Sequence, residues 1–477
     1  MTQRLAIPTT GRDAASVLED ARAYIADDAD YKNGRTWSMV YWPGEEHHHL
    51  TEAANNLCLA QNALNPYAFK GLKRMETEVV QMCAGLLNGP PTTVGTMTSG
   101  GTESLLLVVK TYRDLARARW PWIRRPVIVA PKTIHPAFDK GAHLFGVRLR
   151  KVPVDADGKV DPHAVRRAIC RNTVLVAASA PQYVTGVVDP IPAIASIARE
   201  RRIPMHVDAC FGGFILPWLE RLGVRMPVWD FRVHGVTSVS ADLHKYGYAP
   251  KGASVLLFRE MRHLRHQFFA STDWPGGIYI SPGLPGTRPG GPIAAAWASL
   301  LGMGEDGYLE RAKGAWEAAE ALRAGIRTIP GLRVLGEPMS TIVTWTSAEV
   351  DVYAVADQLQ AKGWGVDRQQ HPSSVHCTCN ASNLPSVPLY LDDLREAVAH
   401  VRAHPELARE GDAAVYGLLA RVPVRGMVKS GVLDVMEKMY APDGGTPDLD
   451  GDDPVQRWAT RALDAVDRVK GALRRGR

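Results

Sequence analysis

The run Ser240-Ala-Asp-Leu-His-Lys-Tyr-Gly247, continued by Tyr248-Ala-Pro-Lys-Gly252, sets Lys245 beside a histidine and two residues before a glycine. Residues 236–240 read as a β-strand, so Lys245 is expected at a strand end facing a cleft. Burial disfavours the charged form of a lysine, and the amine it leaves attacks carbonyls. Lysines of that kind hold aldehyde cofactors as Schiff bases. Taken alone, Lys245 reads more simply as a surface residue in a turn.

Two further stretches change that reading. Ile203-Pro-Met-His-Val-Asp-Ala-Cys-Phe-Gly-Gly213 is an apolar strand that ends in Asp208 with small residues after it. Ligands of open α/β sheets bind at the carboxyl ends of strands, and a carboxylate there would hold a pyridinium nitrogen protonated, making the ring an electron sink. Upstream, Thr98-Ser-Gly-Gly-Thr-Glu-Ser104 opens a helix. Ser99, Gly100, Gly101 and Thr102 would then present N–H groups and hydroxyls at a positive helix end, an anion site that fits a phosphate. Each feature alone is ordinary, since Ser-Gly-Gly-Thr also serves as simple capping and aspartates often end strands. In the order phosphate cup, ring aspartate, lysine, they describe a pocket for pyridoxal 5'-phosphate.

The elements that would position these groups follow from periodicity. Between residues 75 and 258, β-branched runs at 127–130, 147–152, 173–179, 203–207, 236–240 and 254–258 alternate with helical patterns such as 102–119 and 190–200. That alternation implies right-handed βαβ crossovers and an α/β fold with a mainly parallel sheet. Residues 274–292, WPGGIYISPGLPGTRPGGP, carry too much Gly and Pro for a regular element and are expected to form an ordered loop or a linker. Helices at 294–301 and 307–326 lead to a second unit, with strands at 340–346 and 375–378 and helices at 350–362 and 391–403. The expected division is an arm (1–60), a large cofactor domain (61–305), a smaller α/β domain (306–441), and a linker with a terminal helix (442–477). The basic face of that helix, 455–473, would allow contact with an anionic membrane, although packing on a dimer is the plainer reading. In the arm, His47, His48 and His49 are adjacent, point in different directions on any regular element, and are read as a solvated segment rather than a metal site.

Composition removes other classes. A chain of 477 residues with 45% hydrophobic residues, 12 Trp, 14 Tyr and 9 Phe is neither a small binding module nor a disordered chain. Lys plus Arg exceed Asp plus Glu by 56 to 50, a net +6 that makes no case for nucleic acid. Six scattered cysteines do not form a disulfide framework. With no leader pattern at the start and no apolar run of membrane-spanning length, a cytoplasmic protein without a transmembrane segment is expected.

On the residues already quoted, the chain resembles the sphingosine-1-phosphate lyases, pyridoxal phosphate enzymes of the aspartate-aminotransferase-like fold that are related to the group II decarboxylases. The resemblance runs from about Tyr41 to Tyr440 and rests on TSGGTES at Thr98, HVDACFGGF at His206, VTSVSADLHKYGYAPKG at Val236, TDWPGGIY at Thr272 and GTRPGG at Gly286. It implies that Lys245 carries the cofactor, Asp208 pairs with the ring nitrogen and His135 stacks on the ring. Gly100, Gly101 and Thr102 would bind the phosphate, with His244 beside it and Thr287 reaching in from a partner subunit. Lys251 would bind the substrate phosphate, and Tyr41 would come from the partner chain of a homodimer with shared active sites. The implied reaction is retro-aldol cleavage of a phosphorylated sphingoid base to a fatty aldehyde and phosphoethanolamine, with Lys245 or Tyr183 moving protons.

Two departures bear on the substrate headgroup. The lyases typically read Asn-Pro-Leu-His-Pro where this chain has Asn62-Ala-Leu-Asn65-Pro66, so a cation is replaced by the neutral amide of Asn65. Where the family reads close to Pro-Gln-Phe-Pro-His-Gly, Pro181-Gln-Tyr-Val-Thr-Gly186 loses a histidine and gains Tyr183. Two alternatives stand beside the lyase: an amino-acid decarboxylase on the same fold, and a non-catalytic scaffold that has no need of an aldehyde-reactive lysine.

Overall fold

The computed structural model describes residues 5–421 and 425–442. Seven strands build the main sheet: β1 (Val94–Thr98), β2 (Val127–Pro131), β3 (Arg148–Val152), β4 (Thr173–Ser179), β5 (Met205–Asp208), β6 (Val236–Ala241) and β7 (Ser254–Phe258). Their order is β1-β7-β6-β5-β4-β2-β3. β7 runs antiparallel to both its neighbours while β2 to β6 pair in parallel, so β1, β2, β4, β5 and β6 all end on one edge.

β2, β4 and β5 read as unbroken apolar runs because both faces of the sheet are covered. Their alternate residues feed different cores. Val127, Val129, Val176 and Val207 pack on the side of the helix Ile191–Glu200, through Ile194, Ala195 and Ala198. Ile128, Ala130, Leu175 and Ala177 pack on the other side with Leu105, Val108, Val109, Tyr112 and Leu115 of the helix Gly101–Arg119.

After β7 the chain forms a hairpin, β8 (Phe269–Trp274) with β9 (Gly277–Ser281), which corrects the loop expected over 274–292. Pro275 and Gly276 confine their turn to two residues, leaving Gly277–Ser281 free to pair. Strand β1 was also not anticipated.

The helix Gly290–Arg327 breaks at Gly304 (φ 58°), so the expected domain boundary at 305/306 lies within it. It leads to a small antiparallel sheet of β10 (Leu332–Val334), β11 (Ile342–Ser347), β12 (Asp367–Gln369) and β13 (Ser374–Thr378), in the order β10-β11-β13-β12. The arm closes that unit's core, since Trp37 lies 6.0 Å from Trp364 in a stacked pair and 4.8 Å from Tyr390 edge-on.

The arm is more ordered than the sequence suggests. It carries the helices Ala14–Tyr24 and Glu45–Leu57, and His47, read as solvated, is buried with Nε2 2.9 Å from Ser299 Oγ. The helix expected at 455–473, and all but the first residue of the linker 442–453, lie outside the described residues.

The buried guanidinium of Arg323 donates to the carbonyls of Ser340 and Ile342, joining the long helix to the start of β11. Arg323→Met strands both carbonyls, which is expected to cost about 2–5 kcal/mol. Differential scanning calorimetry should show a lower denaturation midpoint; an unchanged midpoint contradicts that role.

Candidate active site

Beyond β6 the chain turns sharply through Asp242 to Ala249. The turn closes on hydrogen bonds from Tyr248 N–H to Lys245 O (2.9 Å) and Ala249 N–H to Leu243 O (3.1 Å). Gly247 permits it, because a Cβ there would lie 2.5 Å from Leu243 O. Lys245 Nζ is thereby held 2.9 Å from Asp242 Oδ2, and His244 Nε2 is 3.6 Å from the same oxygen. The other oxygen of Asp242 accepts from Ser254 Oγ at 2.6 Å.

Charge in this cluster is set by the carboxylate. Burial alone would pull the Lys245 pKa down, but Asp242 outweighs it and the pKa is raised. Burial likewise pushes Asp242 up, and Lys245 with His244 brings it below the usual carboxylate range. His244 falls to about 4, chiefly through burial. Its Nδ1 accepts from Ala253 N–H at 3.3 Å, so the neutral ring carries its proton on Nε2, toward Asp242.

The expected phosphate cup starts the helix Gly101–Arg119. The N–H and hydroxyl of Ser99 both donate to Glu103 Oε2 at 2.7 Å, so the donors expected from Ser99 are already engaged. First-turn N–H groups, those of Gly101 and Thr102 among them, have no carbonyl within the helix. A Cβ on Gly100 would stand 3.4 Å from His244 Cε1, and one on Gly101 2.9 Å from both Asp242 Oδ2 and Cys210 Sγ. The helix start thus lies bare against the Lys245 turn, a cradle any side chain would fill.

Asp208 ends β5 between register partners Ser179 and Ser240 on the adjacent strands. Its Oδ1 accepts from Cys210 N–H at 3.1 Å. His135 follows β2; its Nδ1 accepts from Ala137 N–H at 3.2 Å and its ring is exposed. Helix start, carboxylate, imidazole and lysine share one edge of the sheet, and these residues fit pyridoxal 5'-phosphate.

Further groups ring the cluster. Lys251 Nζ donates to the carbonyls of Met39 and His244 and lies 5.5 Å from the centre of the Tyr41 ring. Tyr41 also meets Tyr246 edge-on at 4.8 Å. Burial raises the Tyr41 pKa, keeping it a neutral phenol. The arm therefore delivers Tyr41 to the site of its own chain, a correction to the expectation that it serves a partner's, because the Met39 carbonyl and Trp37 anchor it locally. Thr287 and Asn65 are placed elsewhere: Thr287 Oγ1 accepts from Asn62 Nδ2 at 3.3 Å, and Asn65 Oδ1 caps the N–H groups of Tyr67 and Ala68 at 3.1 Å.

Sequence reading missed Asp242, although it stands three residues before Lys245, because strand-end aspartates are common. It also missed Asp367, which accepts from the Tyr183 hydroxyl at 3.1 Å. No local signal in the sequence links these two residues.

Residues 5–346 match the model of the pyridoxal-dependent decarboxylase conserved domain. The chain is 40% identical over 440 residues to sphingosine-1-phosphate lyase 1 of Rattus norvegicus, covering 92% of this chain and 77% of that protein. With the sphingosine-1-phosphate lyase of Arabidopsis thaliana it shares 41% over 432 residues, 89% and 79% of the two chains. A solved sphingosine-1-phosphate lyase of Burkholderia pseudomallei superposes with a TM-score of 0.82 at 39% identity, over 91% of this chain and 97% of that one. A glutamate decarboxylase of Lactobacillus brevis shares the fold, with a TM-score of 0.73 at 18% identity over 84% and 96% of the chains.

Because Asp242 holds the Lys245 amine protonated, capture of pyridoxal 5'-phosphate by the cofactor-free chain should accelerate as pH rises. Asp242→Asn removes the largest charge opposing burial, lowers the amine pKa and moves that acceleration to lower pH. Stopped-flow visible absorbance measures both; an unshifted pH dependence contradicts the pairing.

Proposed function

The chain belongs to the pyridoxal-dependent decarboxylase family and, within it, to the sphingosine-1-phosphate lyases, and from that premise we propose how its residues act. It is a pyridoxal 5'-phosphate-dependent carbon–carbon lyase that cleaves a phosphorylated sphingoid base into a fatty aldehyde and phosphoethanolamine. The observation that carries this reading is the Lys251 ammonium, just beyond the Lys245 turn, bonded to the His244 carbonyl and beside Tyr41, where it can take a substrate phosphate. An amino-acid decarboxylase has no phosphorylated headgroup to hold there, and the glutamate decarboxylase of Lactobacillus brevis, at 18% identity, is similar at the level of fold alone.

The cofactor, when bound, supplies an electron sink for the pair released by bond cleavage. Lys245 would carry it, Asp208 would keep its ring nitrogen protonated, and His135 would cover the ring. The backbone of Gly100, Gly101 and Thr102, with His244 alongside, would hold its phosphate, whereas the Ser99 donors are taken up by Glu103. Lys251 and Tyr41 bind the substrate headgroup; a pinned headgroup restricts rotation about the bond to be broken, which lowers the entropic part of the barrier. Asn65, whose carbonyl is committed to capping, has only its amide N–H groups to offer a phosphate.

Two features support a homodimer with shared sites. The β8–β9 hairpin leaves Phe269, Trp274, Ile278 and Ile280 more than half exposed, an apolar face that a second copy would bury. Thr287 and Asn65, placed outside their own chain's cluster, are then available to the partner's cup. The free state of all six cysteines supports a cytoplasmic location. No helix among the described residues is long and apolar enough to cross a membrane.

Incubation of purified chain and cofactor with sphingosine 1-phosphate should yield a long-chain aldehyde and an equal amount of phosphoethanolamine, detected by mass spectrometry. Carbon dioxide from an amino acid, with no aldehyde, overturns the reading. Lys251→Met should raise KM by about 10–100-fold, with kcat less affected, as expected for loss of a charge-assisted bond; an unchanged KM contradicts its role. Light scattering should return twice the chain's 52.1 kDa, and a monomer removes the shared site.

A further inference from the structure

Tyr183 follows β4, yet the small sheet holds it. Its hydroxyl donates to Asp367 Oδ2 at 3.1 Å, and its ring lies 4.1 Å from the His376 ring at an angle of 30°. Asp367 and His376 are register partners on β12 and β13. The imidazole is fixed in turn by Thr344 Oγ1 (3.3 Å), Gln369 Nε2 (3.0 Å) and Thr378 Oγ1 (3.0 Å). Thr344 also donates to Val184 O at 2.7 Å, anchoring the loop next to Tyr183. Ring plane and hydroxyl direction are both set by the small unit.

The pair lies within electrostatic reach of the amine cluster. The charge of Lys245 reaches Tyr183, and that of Asp367 reaches Tyr41. Although 40% of Tyr183 is exposed, desolvation of its hydroxyl first, and Asp367 with Tyr41 next, raise its pKa, so the group is a phenol and not a phenolate. A phenol accepts a proton only while releasing its own. The proton of that phenol points to Asp367 Oδ2, the acceptor directly behind it.

We propose that Tyr183 and Asp367 form a proton relay for carbon–carbon cleavage, with Asp367 as the positioning and proton-storing residue behind Tyr183. The inference rests on the lyase reading above. As the substrate's C3 O–H bond breaks, its proton passes to Tyr183 Oη and the Tyr183 proton passes to Asp367 Oδ2. The O–H electron pair becomes the second C–O bond of the aldehyde. The Cα–Cβ bond breaks with its pair remaining on the amine fragment, and the stored proton returns through Tyr183 to Cα. The two products together hold every atom of the substrate, so no oxidant, water or net proton is needed.

The test is Asp367→Asn, which keeps a hydrogen-bond acceptor for Tyr183 and cannot store a proton. On the cofactor-loaded enzyme with sphingosine 1-phosphate, kcat should fall about 100-fold, the low end for general acid–base catalysis, while KM and the visible cofactor spectrum stay unchanged. Asp367→Glu should recover part of kcat, and added formate should rescue Asp367→Ala but not Asp367→Asn. A wild-type kcat in Asp367→Asn, or a defect confined to KM, overturns the relay while the lyase reading stands. Wild-type enzyme that forms no aldehyde overturns both.

Discussion

The site depends on one topological constraint: the parallel strands of the main sheet end together. With β7 alone reversed, β1, β2, β5 and β6 bring the phosphate cup, His135, Asp208 and the Lys245 turn to the same edge. None of these groups is near the others in sequence. Parallel pairing forces crossovers, crossovers cover both faces, and the apolar strands then have a single open end at which polar side chains can gather. The Asp242–Lys245 pair sits at that end, and its carboxylate sets the charge of the amine and faces the neutral His244 ring.

The second constraint is the joining of the small unit to that edge. Tyr246, next to Lys245, buries its hydroxyl against Thr341 and the Cys379 carbonyl at the margin of the small sheet. Trp37 carries the arm into the small core, which brings Tyr41 within reach of Lys251. Asp367 and His376 then reach across to Tyr183. The groups proposed to hold the cofactor thus come from the large sheet, whereas those proposed to meet the substrate are held by the arm and the small unit.

What could be read from the sequence follows the range of each interaction. Lys245, Asp208 and the Gly100–Gly101 helix start were legible because each is a local pattern at the end of an apolar strand, and the alternation of elements gave the parallel sheet. The β8–β9 hairpin was not legible because the Gly and Pro density that marks a tight turn also marks a loop. Glu103 engaging Ser99, Asp242 as counter-ion and Asp367 behind Tyr183 needed side-chain geometry. The last of these joins residues 184 positions apart, and no periodicity or spacing encodes it. The placement of Tyr41 in its own chain's site was missed for the same reason: it is fixed by Trp37 packing on a core built from residues 318 onward.

The central claim is that the strand-edge cluster, through Lys245, is where the cofactor is held. It is tested most directly by reducing the cofactor-loaded protein with borohydride and mapping the pyridoxyl mass by peptide sequencing. The structure predicts a single modified residue, Lys245. A pyridoxyl group on Lys251 or any other lysine, with Lys245 unmodified, would contradict it.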